Sequence, residues 1–297
     1  MRSVAATPHL LHWPDQPASA RRKRASLMYE EFYGFSESPF NITPDPRFLF
    51  FSDRHLEAFN HILFGLQERQ GFIQITGEVG AGKTTICRAV LEELGGHYRT
   101  ALILNPVMTS KQLLWSVVSE LGVEPESRNR LELVNRLNQY LLDQFAAGND
   151  VALFIDEAQD LSLELMEQVR LLSNLETDQR KLLQIVLIGQ PELRDMLNRE
   201  ELRLLRQRIT VRYLLTSLSY TETEFYIYHR LSVAGANSTP SFTRGAIRKI
   251  YRYSRGVPRL INAVCDKALL CGYVLGTQNL KVKHLRRAIR ELEGKFR

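Results

Sequence analysis

The sequence predicts an α/β fold, in which a five-stranded parallel sheet is followed by a C-terminal bundle of helices. Short apolar runs alternate with segments of helical period between residues 72 and 214, a pattern typical of strands buried on both faces of a parallel sheet. After Ser217 the strand pattern stops and only helical periodicity continues. A chain of 297 residues with 44% apolar residues is large enough for both parts.

The order of the predicted elements follows from these runs. A helix over 54–69 is indicated by apolar residues at helical spacing from Leu56 to Leu66. Strands are predicted over 72–76, 101–104, 151–155, 182–188 and 211–214. Further helices are predicted over 83–94, 110–121, 128–146, 162–174, 221–234, 242–253, 258–274 and 281–293. Regular alternation of strand and helix predicts crossover connections, and therefore a parallel sheet.

Composition divides the chain into four expected regions. Residues 1–27 are rich in Pro, Ala and Arg without periodicity, so we expect a disordered N-terminal extension. Residues 28–54 are rich in aromatic residues and Pro, and we expect a packed lead-in. The α/β core is expected over 55–217 and a helical lid domain over 218–297.

Composition also indicates the cellular setting. The three cysteines form neither a C-x-x-C pair nor a zinc-ligand spacing, which favours a reducing compartment. The most apolar stretch near the C-terminus, 263–276, is interrupted by Asp266 and Lys267 and is too short to cross a bilayer. The N-terminus lacks the continuous hydrophobic region of a secretory signal. We therefore expect a cytoplasmic protein with no transmembrane segment of its own.

Charge is unevenly distributed along the chain. Residues 242–297 hold 14 Lys and Arg against three Asp and Glu, a net +11, whereas residues 28–241 hold 20 against 29, a net −9. A basic region of this kind can bind nucleic acid or anionic lipid, or dock on the acidic core of a neighbouring subunit. It can also be a solvated helical face. Charge alone favours docking over nucleic-acid binding and leaves all three open.

A glycine-rich loop follows the first predicted strand. Residues 77–84, Gly-Glu-Val-Gly-Ala-Gly-Lys-Thr, fit G-x-x-x-x-G-K-[ST], whose glycines let backbone N–H groups surround a phosphate chain. Lys83 supplies a charge for the β- and γ-phosphates, at the N-terminus of a predicted helix. The residues expected to bind a nucleotide in this loop are Gly77, Glu78, Val79, Gly80, Ala81, Gly82, Lys83, Thr84 and Thr85.

Two adjacent acids end the third predicted strand. Asp156 and Glu157 follow the apolar run 151–155, at the edge of the sheet where open α/β folds bind their ligands. We expect Thr84 and Asp156 to be ligands of Mg²⁺, and Glu157 to be the catalytic base that orients the attacking water. The predicted cofactors are therefore ATP and Mg²⁺. Two solvated loop carboxylates are the weaker alternative, because the pair ends a buried strand.

Further polar residues are predicted around the phosphates. Gln190 follows the fourth strand and is expected to hold the water or the γ-phosphate, with a tight turn as the structural alternative. Arg206 and Arg208, and less so Arg203, stand where an arginine can reach the nucleotide of an adjacent subunit. Arg259, at the start of a bundle helix, is expected to contact phosphate from the helical side.

These residues, in this order, resemble an AAA+ ATPase, with its two nucleotide motifs, a polar sensor on the fourth strand, an arginine finger and a lid arginine. More narrowly, residues 28–292 resemble the ExeA/GspA-type ATPases of general secretion and their relatives in pilus, exopolysaccharide and exosortase loci. The motifs that carry this resemblance are 32–35, 39–40, 43–48, 76–85, 153–160, 172–176, 189–193, 205–208 and 228–231.

The resemblance implies an oligomeric ATPase that acts as a motor or switch in the assembly of a secretion, pilus or exopolysaccharide export system. It implies a homo-oligomer, a membrane-protein or secretion-apparatus partner, and a position in the cytoplasm or peripheral to the inner membrane. ExeA-like proteins often continue into a transmembrane segment and a peptidoglycan-binding domain, and those properties are not carried over to this chain.

Two alternatives remain open. The chain also resembles DNA-binding AAA+ transposition regulators of the TniB/TnsC/MuB type, a role that the basic bundle at 242–297 suits. The lead-in over 39–48 matches the secretion relatives better. A third interpretation is a nucleotide switch that binds ATP and hydrolyses little of it.

Overall fold

Five parallel strands form the central sheet. A computed structural model of the protein describes residues 29–41, 45–124, 129–177, 180–236 and 239–295. The strands are β1 (Phe72–Gly77), β2 (Tyr98–Ile103), β3 (Asp150–Ile155), β4 (Leu183–Gly189) and β5 (Ile209–Leu215). Their order across the sheet is β2-β3-β4-β1-β5, and every pairing is parallel. The predicted α/β fold with a five-stranded parallel sheet is therefore confirmed.

The edge strands differ most from their predicted limits. β2 begins at Tyr98 instead of residue 101, and β5 spans Ile209–Leu215 instead of 211–214. Both strands lie at an edge of the sheet and carry exposed polar residues, among them Arg99 and Thr210, that interrupt the apolar run. Backbone pairing with one neighbouring strand defines these residues as strand, and side-chain polarity does not report that pairing.

Helices cover both faces of the sheet. They are α1 (Asp53–Gln67), α2 (Lys83–Leu94), α3 (Ser110–Glu120), α4 (Arg130–Ala146), α5 (Leu163–Leu172), α6 (Pro191–Leu197) and α7 (Arg203–Arg208). Alternate residues of β3 enter different cores. Leu153 and Ile155 pack with apolar residues of α3, α4 and α5, whereas Ala152 and Phe154 pack with those of α1 and α2. The central strands are thus buried on both faces, which specifies their register.

The C-terminal region is built mainly from four helices, α8 (Tyr220–Val233), α9 (Arg244–Ser254), α10 (Pro258–Val274) and α11 (Val282–Leu292). A small parallel sheet of β6 (Ser241–Phe242) and β7 (Asn279–Leu280) pairs the segments before α9 and α11. The expectation that strands end after Ser217 was wrong on this point, because two-residue strands leave no periodic pattern. Within the described ranges, no helix is long and apolar enough to span a membrane.

The aromatic lead-in packs on the helical region. Tyr29 and Tyr33 are buried in one cluster with apolar residues of α8, α9, α10 and α11. Tyr29 Oη donates to Asp266 Oδ1 at 2.8 Å, and Tyr33 Oη donates to the carbonyl oxygen of Leu269 at 3.0 Å. The disorder expected for residues 1–27 lies outside the described residues, and the limits of the four regions stay predictions.

Candidate functional site

The phosphate loop connects β1 to α2 and encloses the side chain of Lys83. Gly80 and Gly82 adopt φ values of +78° and +101°, which residues with a Cβ rarely adopt, so this conformation requires glycine. Lys83 Nζ donates to the carbonyl oxygens of Gly77 at 2.8 Å and Glu78 at 3.1 Å. Burial lowers the pKa of Lys83, although nearby carboxylates oppose this shift. The ammonium group therefore lies inside the loop that the motif assigns to phosphate.

A buried histidine of α1, His55, supports the loop. His55 Nε2 lies 3.0 Å from the carbonyl oxygen of Ala81, and Nδ1 lies 2.6 Å from Ser52 Oγ. A carbonyl oxygen only accepts, so we assign the ring proton to Nε2. Nδ1 then accepts a hydrogen bond from the hydroxyl group of Ser52. Burial lowers the pKa of His55, which agrees with a neutral ring. A Cβ on Gly82 would lie 3.1 Å from Nε2, so this glycine also makes room for the ring.

Asp156 ends β3 and contacts the first turn of α2. Thr84 Oγ1 donates to Asp156 Oδ2 at 2.6 Å, and the backbone N–H of Glu157 donates to Oδ1 at 2.9 Å. Burial raises the pKa of Asp156, which is only 3% exposed, although these two donors oppose the shift. The two residues predicted as magnesium ligands therefore lie in direct contact.

The donor set around Asp156 fits a hard cation that arrives with a phosphate. Carboxylate and hydroxyl oxygens, as on Asp156 and Thr84, are ligands of the type that Mg²⁺ prefers. In the part of the chain that the structure describes, no cluster of three or more His, Cys, Asp or Glu side chains is able to hold a metal ion. Mg²⁺ would therefore take its remaining ligands from phosphate oxygens and water, as it commonly does.

Glu157 stands next to Asp156, but its pKa is shifted in the opposite direction. Its backbone is left-handed, with φ 51° and ψ 39°, and Oε2 accepts from Gln159 Nε2 at 2.9 Å and Gln190 Nε2 at 3.2 Å. Burial raises the pKa of Glu157, but these two donors and the charges of nearby cations outweigh it, so the net shift is downward. Glu157 is therefore ionised at neutral pH. Such a carboxylate is a weak proton acceptor and is better suited to orienting a bound molecule.

Gln190 lies between the phosphate loop and the acidic pair. It follows β4, which is the strand between β1 and β3, and it precedes Pro191 at the start of α6. Its backbone N–H donates to Gln159 Oε1 at 3.0 Å, and its side chain donates to Glu157. The structure thus brings Gln190 against Glu157, and in place of the turn considered as an alternative, Gln190 is the N-cap of α6 with an extended backbone (φ −79°, ψ 170°).

The start of α10 covers the phosphate loop. The backbone N–H of Arg259 donates to the carbonyl oxygen of Gly80 at 3.2 Å, and a Cβ on Gly80 would collide with Arg259 Cβ. A cleft of about 890 Å³, open to solvent, lies between the loop, the lead-in and the helical region. The predicted residues that line it are Val79, Gly80, Gly82, Lys83, Thr84, Thr85, Glu157 and Arg259.

Arg230 also lines the cleft, and its buried side chain holds neighbouring segments together. Its guanidinium group donates to the carbonyl oxygens of Pro39 at 2.5 Å and Asn41 at 3.0 Å, and to Tyr226 Oη at 3.0 Å. It also lies 4.7 Å from the centroid of the Phe48 ring. Arg230 therefore connects the lead-in to α8 along one side of the cleft.

Sequence reasoning missed three residues of this site, His55, Gln159 and Arg230. Gln159 and Arg230 had a signal, since they belong to the motifs at 153–160 and 228–231, but neither was given a role. Besides a nearby partner, each of the three has a backbone partner that lies 26, 31 or 191 residues away in the chain. Contacts at such separations leave no local pattern.

The arginines before β5 lie outside the cleft of their own chain. Arg206 Nη1 donates to the carbonyl oxygen of Asn198 at 3.1 Å, and Arg208 Nη1 donates to Ser173 Oγ at 2.8 Å. Arg203 is exposed. None of the three lines the cleft, so a contact between one of them and a nucleotide would require a second copy of the chain.

Comparison with known sequences finds matches that include the phosphate loop. A family model described as AAA domain matches residues 66–197. The chain is 44% identical over 268 residues to General secretion pathway protein A of Aeromonas hydrophila, a match that covers 90% of this chain and 49% of that protein. The chain therefore spans about half the length of this relative.

Solved structures with low sequence identity share the fold. The Cdc6p structure from Pyrobaculum aerophilum has a TM-score of 0.65 at 14% identity, covering 88% of this chain and 70% of its own. ORC2 of Aeropyrum pernix, solved in ADPNP and ADP complexes, has a TM-score of 0.61 at 15% identity, covering 80% of this chain and 67% of its own. The Holliday junction branch migration motor RuvB of Thermotoga maritima has a TM-score of 0.54 at 17% identity, covering 80% of this chain and 69% of its own.

At these identities the structural similarity shows the fold alone. The sheet order and the phosphate loop agree with it, as does the AAA domain match. Residues 66–197 thus match an AAA domain, and the chain is similar, over nine-tenths of its own length, to General secretion pathway protein A.

Proposed function

We propose that this chain binds ATP with Mg²⁺ in the cleft and hydrolyses it to ADP and phosphate. The observation that carries the proposal is the 2.6 Å contact between Thr84 and Asp156, which joins the phosphate loop to the acidic pair after β3. The loop from Gly77 to Thr85 binds the phosphates, Thr84 and Asp156 hold the ion, and Arg259 contacts the phosphates from the helical side. When bound, Mg²⁺ neutralises charge that develops on the phosphates.

Hydrolysis also requires a water molecule held in line with the γ-phosphate. We assign this role to Glu157, which is ionised, lines the cleft and is held by the side chain of Gln190. Transfer of the γ-phosphoryl group depends mainly on positioning and charge, so an orienting carboxylate with a lowered pKa is sufficient.

The variant Glu157→Gln separates hydrolysis from binding. The amide keeps the size of the side chain and removes its charge, so affinity for a fluorescent ATP analogue is expected to stay within about threefold. Phosphate release is expected to fall by about 100-fold or more. Lys83→Ala, the comparison variant, is expected to lose binding itself. Unchanged phosphate release by Glu157→Gln would contradict the catalytic assignment and favour a nucleotide switch.

We further propose that the protein works as a homo-oligomer in the assembly of a secretion, pilus or exopolysaccharide export system. The support is its 44% identity to General secretion pathway protein A, together with arginines that lie outside the cleft of their own chain. The proposal places the protein in the cytoplasm, at the inner membrane, beside a membrane-protein or secretion-apparatus partner.

The export role is testable in the native host. A chromosomal Lys83→Ala substitution is expected to reduce the amount of exported cargo while the cellular amount of the variant protein stays at the wild-type level. Light scattering with a non-hydrolysable ATP analogue measures the oligomer. Normal export in the variant strain would contradict the export role, and a monomer under all nucleotide conditions would contradict the homo-oligomer.

Helices α9 and α11 favour a second candidate function, ATP-dependent DNA binding of the TniB/TnsC/MuB type. β6 and β7 pair in parallel, so the two helices begin side by side, and a Cβ on Gly245 would lie 2.9 Å from Val282 Cγ2. The exposed cations on and beside these helices are Arg244, Arg248, Arg252, Arg255, Lys281, Lys283, Arg286, Arg287 and Arg290. Two adjacent cationic helices form a surface that fits phosphate backbones.

Fluorescence anisotropy with a duplex of about 30 base pairs tests this second function. Affinity is expected to require ATP and to fall steeply between about 50 mM and 200 mM salt, because bound phosphates release counterions. The triple variant Arg248→Glu, Arg286→Glu and Arg290→Glu is expected to abolish DNA binding. Absence of ATP-dependent, salt-sensitive binding would leave export as the better-supported function.

A further inference from the structure

Gln159 connects the acidic pair to the end of β4 through both atoms of its amide. Nε2 donates to Glu157 Oε2 at 2.9 Å, and Oε1 accepts the backbone N–H of Gln190 at 3.0 Å. The amide takes this orientation because a carboxylate only accepts and a backbone N–H only donates. The side chain of Gln190 closes the network, with Nε2 at 3.2 Å from the same Glu157 oxygen.

The surroundings of Gln159 are shaped to keep the amide in place. Gln159 is the middle residue of a short 3₁₀ helix, Ala158–Asp160, which Glu157 caps in its left-handed conformation. A Cβ on Gly189 would lie 2.8 Å from Gln159 Oε1, so the absence of a side chain at position 189 leaves the space that the amide fills. The backbone around the network therefore accommodates this one side chain closely.

Both amides act on the same oxygen of Glu157. Among the described residues, Oε2 accepts from Gln159 and Gln190, and no side chain donates to Oε1. The network therefore fixes the orientation of the carboxylate through one oxygen and leaves the other able to accept from water. Hydrogen bonds to a carboxylate also favour its ionised form.

We propose that Gln159 is a positioning residue for hydrolysis: it sets the orientation of the Glu157 carboxylate and ties it to Gln190. This inference rests on the proposed function, because it takes Glu157 as the residue that orients the water. Gln159 is absent from the residues that line the cleft, so it acts through Glu157 and Gln190 and not by touching the nucleotide.

Two substitutions test the proposal by turnover. Gln159→Leu removes both polar atoms, and Gln159→Glu keeps an acceptor for Gln190 but sets a like charge beside Glu157. For both, kcat is expected to fall about 10- to 100-fold while KM for ATP stays within about threefold, because the binding residues are intact. The acidic limb of the kcat profile is expected to move to higher pH, since Glu157 loses a donor to its ionised form. Asp160→Asn, on an exposed neighbour in the same 3₁₀ helix, is the matched control and should retain wild-type values.

A carboxyl titration tests the contact without turnover. In protein labelled with ¹³C at the glutamate carboxyl carbon, the Glu157 signal is the one absent from Glu157→Gln. It is expected to titrate at higher pH in Gln159→Leu than in wild type. A purely structural role of Gln159 would lower the unfolding temperature and leave this titration unchanged.

The outcomes separate this inference from the function on which it rests. An unchanged titration and an unchanged kcat in Gln159→Leu would overturn the role of Gln159, while an inactive Glu157→Gln would leave the hydrolytic proposal intact. Full turnover by Glu157→Gln would instead overturn the hydrolytic role, and the titration would still decide whether Gln159 binds Glu157. In the Glu157→Gln background, Gln159→Leu is expected to cause no further loss of kcat.

Discussion

The backbone N–H of Arg259 donates to the carbonyl oxygen of Gly80 at 3.2 Å, so the helical region is bonded directly to the phosphate loop. The approach is possible because Gly80 has no Cβ, which would collide with Arg259 Cβ. A bound phosphate chain that moves this loop would therefore displace the start of α10. This contact offers a physical route from the nucleotide site to the helical region.

We expect Gly80→Ala to weaken nucleotide binding by about tenfold or more and to lower the unfolding temperature. The φ of +78° costs a residue with a Cβ about 1–3 kcal/mol, and the collision with Arg259 adds to that cost. Binding of a fluorescent ATP analogue and a thermal unfolding curve measure the two effects. Gly96→Ala is the matched control, because a Cβ there meets nothing within 4 Å. Equal affinity of the Gly80 variant and the control would show that the close approach is not needed.

The contact between Thr84 and Asp156 predicts a magnesium-dependent effect. Thr84→Val removes the hydroxyl that donates to Asp156 and leaves a buried carboxylate with one donor fewer. We expect EDTA to weaken ATP binding in wild type and to change little in the variant, whose affinity is already reduced about 10- to 100-fold. Titration calorimetry with and without Mg²⁺ measures this difference. Thr84→Ser should behave as wild type, and a variant with the full magnesium response would rule out the predicted ligand role.

His55 predicts how the stability of the fold depends on pH. Burial lowers the pKa of His55 in the folded state, so the unfolded state binds the proton first as the pH falls below about 6.5. The contribution of this group to stability is therefore complete above that pH and decreases toward the lower folded pKa. Urea unfolding at about pH 7.5 and pH 5.5 is expected to show a smaller loss of stability for His55→Gln than for wild type. Between these two pH values the difference is at most about 1.4 kcal/mol, because pH 5.5 lies only about one unit below the pKa of the unfolded state.

The control for this prediction is His97→Gln, since His97 is exposed and follows a different helix. Its loss of stability on acidification should equal that of wild type. If His55→Gln also loses as much stability as wild type between the two pH values, His55 is not the titrating group.

The position of Arg206 and Arg208 outside the cleft of their own chain predicts activity shared between subunits. We expect Arg206→Ala or Arg208→Ala, and also Lys83→Ala, to be inactive when each is pure. Mixing an arginine variant with Lys83→Ala is expected to restore about a quarter of the wild-type rate, because intact arginines of one variant meet intact loops of the other. Arg203→Ala, at an exposed position, is expected to stay active. No recovery in any mixture would contradict action in trans.

Much of the fold was predictable because its signals are local. β1, β3 and β4 are short, mainly apolar and buried runs, and their predicted limits agree with the structure to within one residue. The edge strand β2 was misplaced by three residues at its start, since an exposed face admits polar side chains such as Arg99. The pair β6 and β7 was missed because strands of two residues carry no period.

The residue types of the candidate site were also readable from the sequence. Asp156 and Glu157 follow the end of β3, and Lys83 and Thr84 begin the helix that the phosphate loop connects to β1. Parallel strands bring their carboxyl ends to one edge of a sheet. Nothing in those positions indicates that the pKa of Asp156 is raised and that of Glu157 lowered. That difference comes from burial and from two amide donors to Glu157, of which Gln190 is supplied by a distant segment.

By itself, the sequence determined the α/β class, the phosphate loop and the acidic pair, because each depends on residues that are close together in the chain. The tertiary structure alone decided which groups complete the site. His55 meets Ala81, Gln159 meets Gln190 and Arg259 meets Gly80 only after distant segments have packed. Those contacts depend on how the packed segments fit together and on glycines that lack a Cβ atom. No local spacing of residues predicts either.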